Sequence, residues 1–223
     1  ELHGKKDGAS GGLAGSQDIS FSENNFYSGA ILGGVVGIAV GAAASIKLEK
    51  EKRQCIVGFG EACTEEGVFW EAINYSALEN LPILFICENN KYATYSDQMK
   101  RQPKDNICDK VSSFGVKSLK IFGNDVVESY LRLNEVMTEI SLESKPVFIE
   151  AYTYRMNSHV GPEDDNFNNY RTRDEINHWS KFCPIKLLEE ALLKERIIDE
   201  KYIKLIEEKN KSAIKSDFDH ALN

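Results

Sequence analysis

Residues 55–92 of the 223-residue chain, CIVGFGEACTEEGVFWEAINYSALENLPILFICENNKY, contain two short apolar runs, at 55–59 and 82–87. Between the runs, residues 66–79 have the spacing of apolar side chains that is typical of a helix. Short runs that are apolar almost throughout predict strands buried on both faces, as in parallel sheets. The stretch therefore predicts a strand–helix–strand unit in which the two strands run parallel.

The same alternation continues on both sides of this unit and predicts the fold class. A helix rich in glycine and alanine is expected at about residues 34–50, ahead of the first strand. After the second strand we expect a helix near 106–114, a strand near 118–121, a helix at 125–142 and a strand at 146–152. This order predicts an α/β fold, a parallel sheet with helices on both faces.

The C-terminal part of the chain has a different composition and predicts a helical tail. Residues 158–170 are rich in Asp, Asn and Gly and predict a polar loop. Residues 184–195 and 199–211 have the pattern of amphipathic, charged helices. We therefore divide the chain into an α/β domain at 1–157 and a loop with C-terminal helices at 158–223.

Composition and charge exclude several classes of function. The net charge of −8 opposes nucleic-acid binding, which needs a basic surface to displace the counterions of the phosphates. The five cysteines include no CxxC pair, so a zinc cluster or a disulfide framework is not expected. A reducing compartment is favoured, the cytoplasm or, in a eukaryote, the mitochondrial matrix. Residues 24–46 carry no charge, but their high glycine and alanine content favours a soluble helix buried on all sides over a membrane span.

Polar residues follow both apolar runs, and they are of the types that bind a metal ion and phosphate. Gly60 and Glu61 come after the first run, and Asn89 and Asn90 come after the second. In an open parallel sheet, ligands bind beyond the carboxyl ends of the strands, where helix starts offer free amides to anions. A carboxylate and an amide oxygen, with a backbone carbonyl nearby, suit Mg²⁺ or Ca²⁺. The sequence therefore predicts a site for Mg²⁺ and a diphosphate.

Each of these residues also has a purely structural explanation. Glu61 could cap the helix that follows it, because acidic residues are favoured in a first turn. The Glu88-Asn89-Asn90 segment is expected to form a turn, and its asparagines need have no other role. The pairing of the two motifs, each closing a buried strand with one helix between them, favours the ligand site.

Residues 59–95 resemble the thiamine diphosphate motif of the alpha subunits of 2-oxo acid dehydrogenases. That motif starts at a Gly-Asp-Gly or Gly-Asp-Ala turn and ends at an Asn-Asn pair. Counting back from Glu66-Gly67, which the family shares, places the acidic position at Glu61. This chain therefore has Glu where the family has Asp, and the spacing from Glu61 to Asn90 agrees with the family.

The resemblance extends over nearly the whole chain. Residues 1–5 and 15–16 resemble the loop that leads to the cofactor. Residues 26–41 resemble the segment whose backbone contacts the aminopyrimidine, which would fall near Ala30 and Leu32.

Residues 153–159, with 170–171, resemble the mobile loop whose histidine, here His159, faces the cofactor. The chain also departs from the family, because Gln17-Asp18 stands where Met-His is usual. About a third of the usual alpha subunit, at its N-terminal end, is not represented in this sequence.

The resemblance implies a site, residue by residue. Its metal ligands would be Glu61, Asn90 and the carbonyl of Tyr92, and its catalytic residue would be His159. The backbone amides of Ala62 and Cys63 would contact the diphosphate. The cofactor-binding residues implied are Ala30, Leu32, Gly60, Glu61, Ala62, Cys63, Asn90, Tyr92 and His159.

The resemblance also implies a reaction and partners. With thiamine diphosphate and Mg²⁺, the enzyme would decarboxylate a 2-oxo acid oxidatively and transfer the acyl group to the lipoyl group of a second enzyme. It would be active only with a beta subunit, in a heterotetramer of two alpha and two beta chains. Three alternatives stay open: an acetoin dehydrogenase alpha subunit, the cofactor-binding half of a split transketolase, and a degenerate, non-catalytic subunit. No nucleic-acid or membrane partner is expected.

Overall fold

The computed structural model describes residues 3–15, 17–161 and 170–222. The chain divides into two compact units, Leu32–Lys186 and a second unit formed by Glu1–Ile31 with Leu187–Asn223. Parts of the predicted cofactor-leading loop (residues 1, 2 and 16) and most of the predicted polar loop at 158–170 lie outside the described residues. The division of the chain at residue 157 stays a prediction.

The regular elements alternate between strand and helix through the middle of the chain. In chain order they are β1 (Ser20–Phe21), β2 (Phe26–Tyr27), α1 (Gly34–Leu48), β3 (Cys55–Gly60), α2 (Gly67–Leu78), β4 (Ile83–Asn89), β5 (Tyr92–Ala93), β6 (Ser96–Asp97), α3 (Gln98–Arg101), α4 (Ile107–Ser112), β7 (Lys117–Phe122), α5 (Val126–Glu143), β8 (Val147–Tyr152), α6 (Arg173–Trp179), α7 (Pro184–Lys194) and α8 (Glu200–Leu222). Short 3-10 helices at Ser22–Asn24, Glu61–Glu65 and Ser180–Phe182 connect some of them.

The larger unit is built on a four-stranded parallel sheet in the order β3-β4-β8-β7. Gly60, the last residue of β3, lies opposite Glu88 of β4, and Asn89, the last residue of β4, lies opposite Tyr152 of β8. The carboxyl ends of these strands therefore meet at one edge of the sheet. All four predicted strands are present, and the predicted parallel α/β fold is confirmed.

The strand β4 runs two residues further than predicted. Glu88 pairs with Gly60 on one side, and Glu88 and Asn89 continue the ladder to β8 on the other. The predicted turn at Glu88-Asn89-Asn90 is therefore wrong for its first two residues, because pairing with neighbouring strands outweighs their turn preference.

Side chains of the sheet alternate between two hydrophobic cores. On one face, Phe59, Phe85 and Phe148 pack with residues of α1, α2 and α4. On the other face, Leu84 and Ile149 pack with residues of α5. The inner strands β4 and β8 are covered on both sides, so their side chains are apolar at successive positions, whereas the edge strand β3 exposes Ile56.

Helix α1 is buried on one face, and the prediction that it is buried on all sides is wrong. Val36 and Ala43 are fully buried against the sheet, whereas Ile38 is 64% exposed and Gly37 and Gly41 are exposed beside it. The buried residues Val36, Ala39, Val40, Ala43 and Ile46 recur at helical spacing on the sheet side.

None of the helices in the described parts of the chain combines the length and the hydrophobicity that a membrane crossing requires.

The second unit contains the short antiparallel pair β1–β2 and the long helix α8. The ring of His3 packs edge-on against Phe218 of α8, with ring centroids 5.7 Å apart. Helix α8 continues to Leu222, beyond its predicted end at residue 211, because charged and apolar residues keep alternating at helical spacing.

Candidate functional site

The first part of the candidate site is the 3-10 helix Glu61–Glu65, which begins directly where β3 ends. Glu61 is its first residue, and the Glu61 side chain is only 2% exposed. A carboxylate buried to this degree requires a compensating charge or hydrogen-bond donors. Arg101 supplies them, because its Nη2 donates to Glu61 Oε1 at 2.5 Å.

Arg101 bridges two carboxylates of this turn. Its Nη1 donates to Glu65, and its Nε donates to the carbonyl of Ser96 at 3.2 Å. The neighbouring Gln102 donates from Nε2 to Glu65 Oε1 at 3.1 Å and to the Thr64 hydroxyl at 3.1 Å. The end of α3 is therefore tied to the Glu61–Glu65 turn through charge-assisted hydrogen bonds.

The second part of the site is the turn that leaves β4. Asn89 Oδ1 accepts from the amide of Lys91 at 3.0 Å, and Asn90 Oδ1 accepts from the amide of Tyr92 at 2.9 Å. These are two successive turns closed by asparagine side chains. Lys91 has a φ of 70°, a left-handed conformation that is uncommon for a residue with a Cβ. Asn90 thus has the turn role that its structural explanation gives it, and this role leaves the second lone pair of Asn90 Oδ1 available.

Tyr92 joins this turn to the 3-10 helix. It pairs with Asp97 in the β5–β6 hairpin, which lies beside the Glu61–Glu65 turn. Its hydroxyl donates to Glu175 at 2.9 Å. Burial, reinforced by Glu175, raises the pKa of the Tyr92 phenol well above its usual range, so the side chain is a neutral anchor. The predicted metal ligand in Tyr92 is its backbone carbonyl, and the neutral side chain is not part of that prediction.

The backbone amides of Ala62 and Cys63 lie in the first turn of the 3-10 helix, where helical amides lack partners within the helix. Cys63 is fully buried, and burial raises the pKa of its thiol to about 11. A thiol with that pKa is protonated at neutral pH, so only the amide of Cys63 can serve an anion. Gly60 has an extended backbone, with no atom within 4 Å of the position of an added Cβ.

A buried polar network supports the end of β4 from the neighbouring strand. Asn89 Nδ2 donates to Glu150 Oε1 of β8 at 2.7 Å and to Gln98 Oε1 at 3.3 Å. Glu150 is 1% exposed and lies 3.3 Å from Lys120 Nζ. The network fixes where β4 ends, and with it the start of the asparagine turn.

The other predicted residues are His159, Ala30 and Leu32. His159 is exposed, and Arg155 Nη1 lies 3.4 Å from its Nδ1. A guanidinium can only donate, so Nδ1 accepts and the proton of a neutral ring is on Nε2. Ala30 and Leu32 are exposed, and Ala30, whose amide donates to Asp18 at 3.4 Å, belongs to the smaller unit. The structure brings together Glu61, Ala62, Cys63 and Tyr92. His159 is connected to the Tyr92 hairpin through Arg155, which also donates to the Thr94 carbonyl at 2.7 Å and to the hydroxyl of Tyr170, whose ring packs against Tyr92.

Arg101, Glu65 and Glu150 are polar partners of the site that the sequence analysis did not single out. Arg101 meets Glu61 across 40 positions of sequence and Glu150 meets Asn89 across 61, so no local spacing signals either contact. In the sequence, Arg101 is recognisable only as a basic residue that follows the asparagine turn. Basic residues are too common in such positions to predict an ion pair with Glu61.

The parallel sheet, with polar residues gathered at the carboxyl ends of β3 and β4, places the chain among the open parallel α/β proteins. In these proteins, ligands bind beyond the carboxyl ends of the strands. More particularly, the chain belongs to the dehydrogenase E1 component family, whose family model matches residues 1–223.

The relatives of the chain include subunits of two kinds of 2-oxo acid dehydrogenase. It is 35% identical to the 2-oxoisovalerate dehydrogenase subunit alpha of Bacillus subtilis over 70% of this chain and 47% of the relative. It is 33% identical to the mitochondrial 2-oxoisovalerate dehydrogenase subunit alpha of Mus musculus over 82% of this chain and 41% of the relative. It is 28% identical to the pyruvate dehydrogenase E1 component subunit alpha of Rickettsia conorii over 96% of this chain and 65% of the relative. The matches thus span less than two thirds of the length of each of these relatives.

Proposed function

We propose that the chain is part of the alpha subunit of a thiamine diphosphate- and Mg²⁺-dependent 2-oxo acid dehydrogenase and holds the metal–diphosphate end of the cofactor. The observation that carries the proposal is the buried carboxylate of Glu61 at the carboxyl end of β3, beside the turn that contains Asn90 and Tyr92. The family match over the full chain supports it.

The residues present fit a magnesium diphosphate group. Glu61, Asn90 Oδ1 and the Tyr92 carbonyl are hard oxygen ligands of the kind that Mg²⁺ prefers. The amides of Ala62 and Cys63, at the start of a helical turn, would bind phosphate oxygens. The open space at Gly60 lets a ligand approach the backbone closely. The chemistry that thiamine diphosphate supplies when bound is a nucleophilic carbon and an electron sink for decarboxylation.

Activity is expected only with a beta subunit, which would supply the groups that activate the cofactor. The substrate would be a 2-oxo acid, and the acyl product would pass to the lipoyl group of a partner enzyme. The relatives include both 2-oxoisovalerate and pyruvate dehydrogenase subunits, so these two acids are the first substrates to test. We also propose that His159, with its Nε2–H directed away from Arg155, acts near the reacting centre.

The test is to purify the full-length protein with its beta-type subunit and to measure CO₂ release from a panel of 2-oxo acids with an artificial electron acceptor. CO₂ release that requires both chains, thiamine diphosphate and Mg²⁺ is the expected result. A folded complex that binds the cofactor but releases no CO₂ would favour acetoin or ketose chemistry. A folded complex that binds no cofactor would favour a degenerate subunit.

His159→Ala should lower turnover in the assembled complex by about 100-fold or more while cofactor binding is retained, since loss of a general acid or base costs roughly that much. Steady-state kinetics and cofactor titration on the same preparation measure the two quantities. His220, exposed on α8, provides the matched control His220→Ala. Equal turnover of the two variants would mean that His159 is a surface histidine with no catalytic role.

A further inference from the structure

The guanidinium of Arg101 pairs with one oxygen, Oε1, of the Glu61 carboxylate that we propose as a metal ligand. The Arg101 side chain is 14% exposed, and its partners Glu61 and Glu65 are 2% and 29% exposed. The more buried carboxylate, Glu61, depends on Arg101 as its counter-charge, because a buried carboxylate without one is strongly unfavourable.

A divalent cation at Glu61 would compete with Arg101. Both are attracted to the charge of the same carboxylate, and two positive groups on one buried carboxylate repel each other strongly in a medium of low polarity. Glu65 offers a second, more exposed carboxylate that already accepts from Nη1 of the same guanidinium. Arg101 can therefore release Glu61 without losing its ion pair with the turn.

We propose that Arg101 is an exchangeable counter-ion of Glu61. It pairs with Glu61 while no cation is bound, and Glu65 alone holds it once a divalent cation takes Glu61. This inference rests on the proposed function, because it takes Glu61 as a metal ligand. Its consequence is that Arg101 lowers the affinity for the metal, while Glu65 raises that affinity by retaining the displaced guanidinium.

The test measures the binding of Mn²⁺ to the assembled enzyme by equilibrium dialysis, with the same concentration of thiamine diphosphate on both sides of the membrane. Arg101→Gln should bind Mn²⁺ about tenfold more tightly than the wild type, the size expected for a hydrogen bond between charged groups. Glu65→Gln should bind it more weakly. Lys100→Gln, which removes an exposed positive charge from the same short helix, is the control for long-range electrostatics and should change the affinity little.

The double variant Arg101→Gln/Glu65→Gln separates exchange from simple charge effects. If Glu65 acts through Arg101, the Glu65→Gln change should have little effect once Arg101 is gone, so the two effects are not additive. Additive effects, or an Arg101→Gln variant that binds Mn²⁺ no more tightly than the wild type, would overturn the exchange. If Arg101→Gln does not fold, Arg101→Lys keeps a charge near Glu61 but cannot bridge two carboxylates, and it should also bind more tightly.

The two proposals fail in different ways. A wild-type enzyme that binds no Mn²⁺ in this assay overturns the metal site, and with it the exchange. A wild-type enzyme that binds Mn²⁺ while its affinity is insensitive to Arg101 keeps the metal site and overturns the exchange alone.

Discussion

Glu61→Gln is expected to weaken the Mg²⁺-dependent binding of thiamine diphosphate by more than about 100-fold, since loss of even an outer-shell partner costs about 10- to 100-fold. The amide keeps the size of the side chain and still accepts a hydrogen bond from Arg101, but it removes the negative charge that a divalent cation requires. Calorimetric titration of thiamine diphosphate into the assembled enzyme, with and without Mg²⁺, measures the effect.

The fold should survive this change, which makes the result interpretable. Arg101 retains Glu65 and the Ser96 carbonyl as partners, so it is not left unpaired in the interior. Glu71→Gln, at an exposed position of α2, removes the same charge away from the proposed site and should bind the cofactor like the wild type. Wild-type affinity in Glu61→Gln would show that the metal site has been assigned to the wrong residue.

The four sheet strands could be predicted because each contains closely spaced apolar residues, which in β4 are consecutive over 83–87. Phe85 and Leu84 pack in opposite cores, so both must be apolar. The unbroken apolar run from Pro82 to Cys87 is the pattern that this two-sided burial produces. The end of β4 could not be predicted, because Asn89 is polar and its place in the strand depends on pairing with Tyr152 and on a hydrogen bond to Glu150. Both partners are more than 60 positions away in sequence.

The short elements around the site were also beyond sequence reasoning. The two-residue strands β5 and β6 are too short to show a period, and the seven-residue helix α6 begins at a Thr172 cap that was not identified. The one-sided burial of α1 was misjudged because glycine and alanine give a weak contrast between a buried and an exposed face.

The kinds of atoms in the site could be predicted from the sequence, but their electrostatic partners could not. Carboxylate, amide and helix-start groups follow two strand ends, and parallel strands bring such ends to one edge of a sheet. Arg101 neutralises Glu61 through a contact that depends on how the β5–β6 hairpin folds back. The residue that neutralises the proposed metal ligand therefore lies outside every motif that the sequence analysis used.

Phe148→Ala is expected to lower the free energy of unfolding by about 3–5 kcal/mol, the range for deleting a buried aromatic side chain. Phe148 is fully buried in β8, an inner strand of the sheet, and its ring centroid lies 6.4 Å from that of Phe59 and 6.2 Å from that of Phe69. The cavity would open directly behind the strand that leads to Glu61, and the paired backbone on both sides of β8 would hinder its collapse.

Urea unfolding followed by circular dichroism measures the loss, with Leu142→Ala, 80% exposed on α5, as a control that should stay within about 0.5 kcal/mol of the wild type. A loss below about 1 kcal/mol for Phe148→Ala would mean that this core is not closely packed, because a well-packed interior cannot absorb the removal of a ring so cheaply.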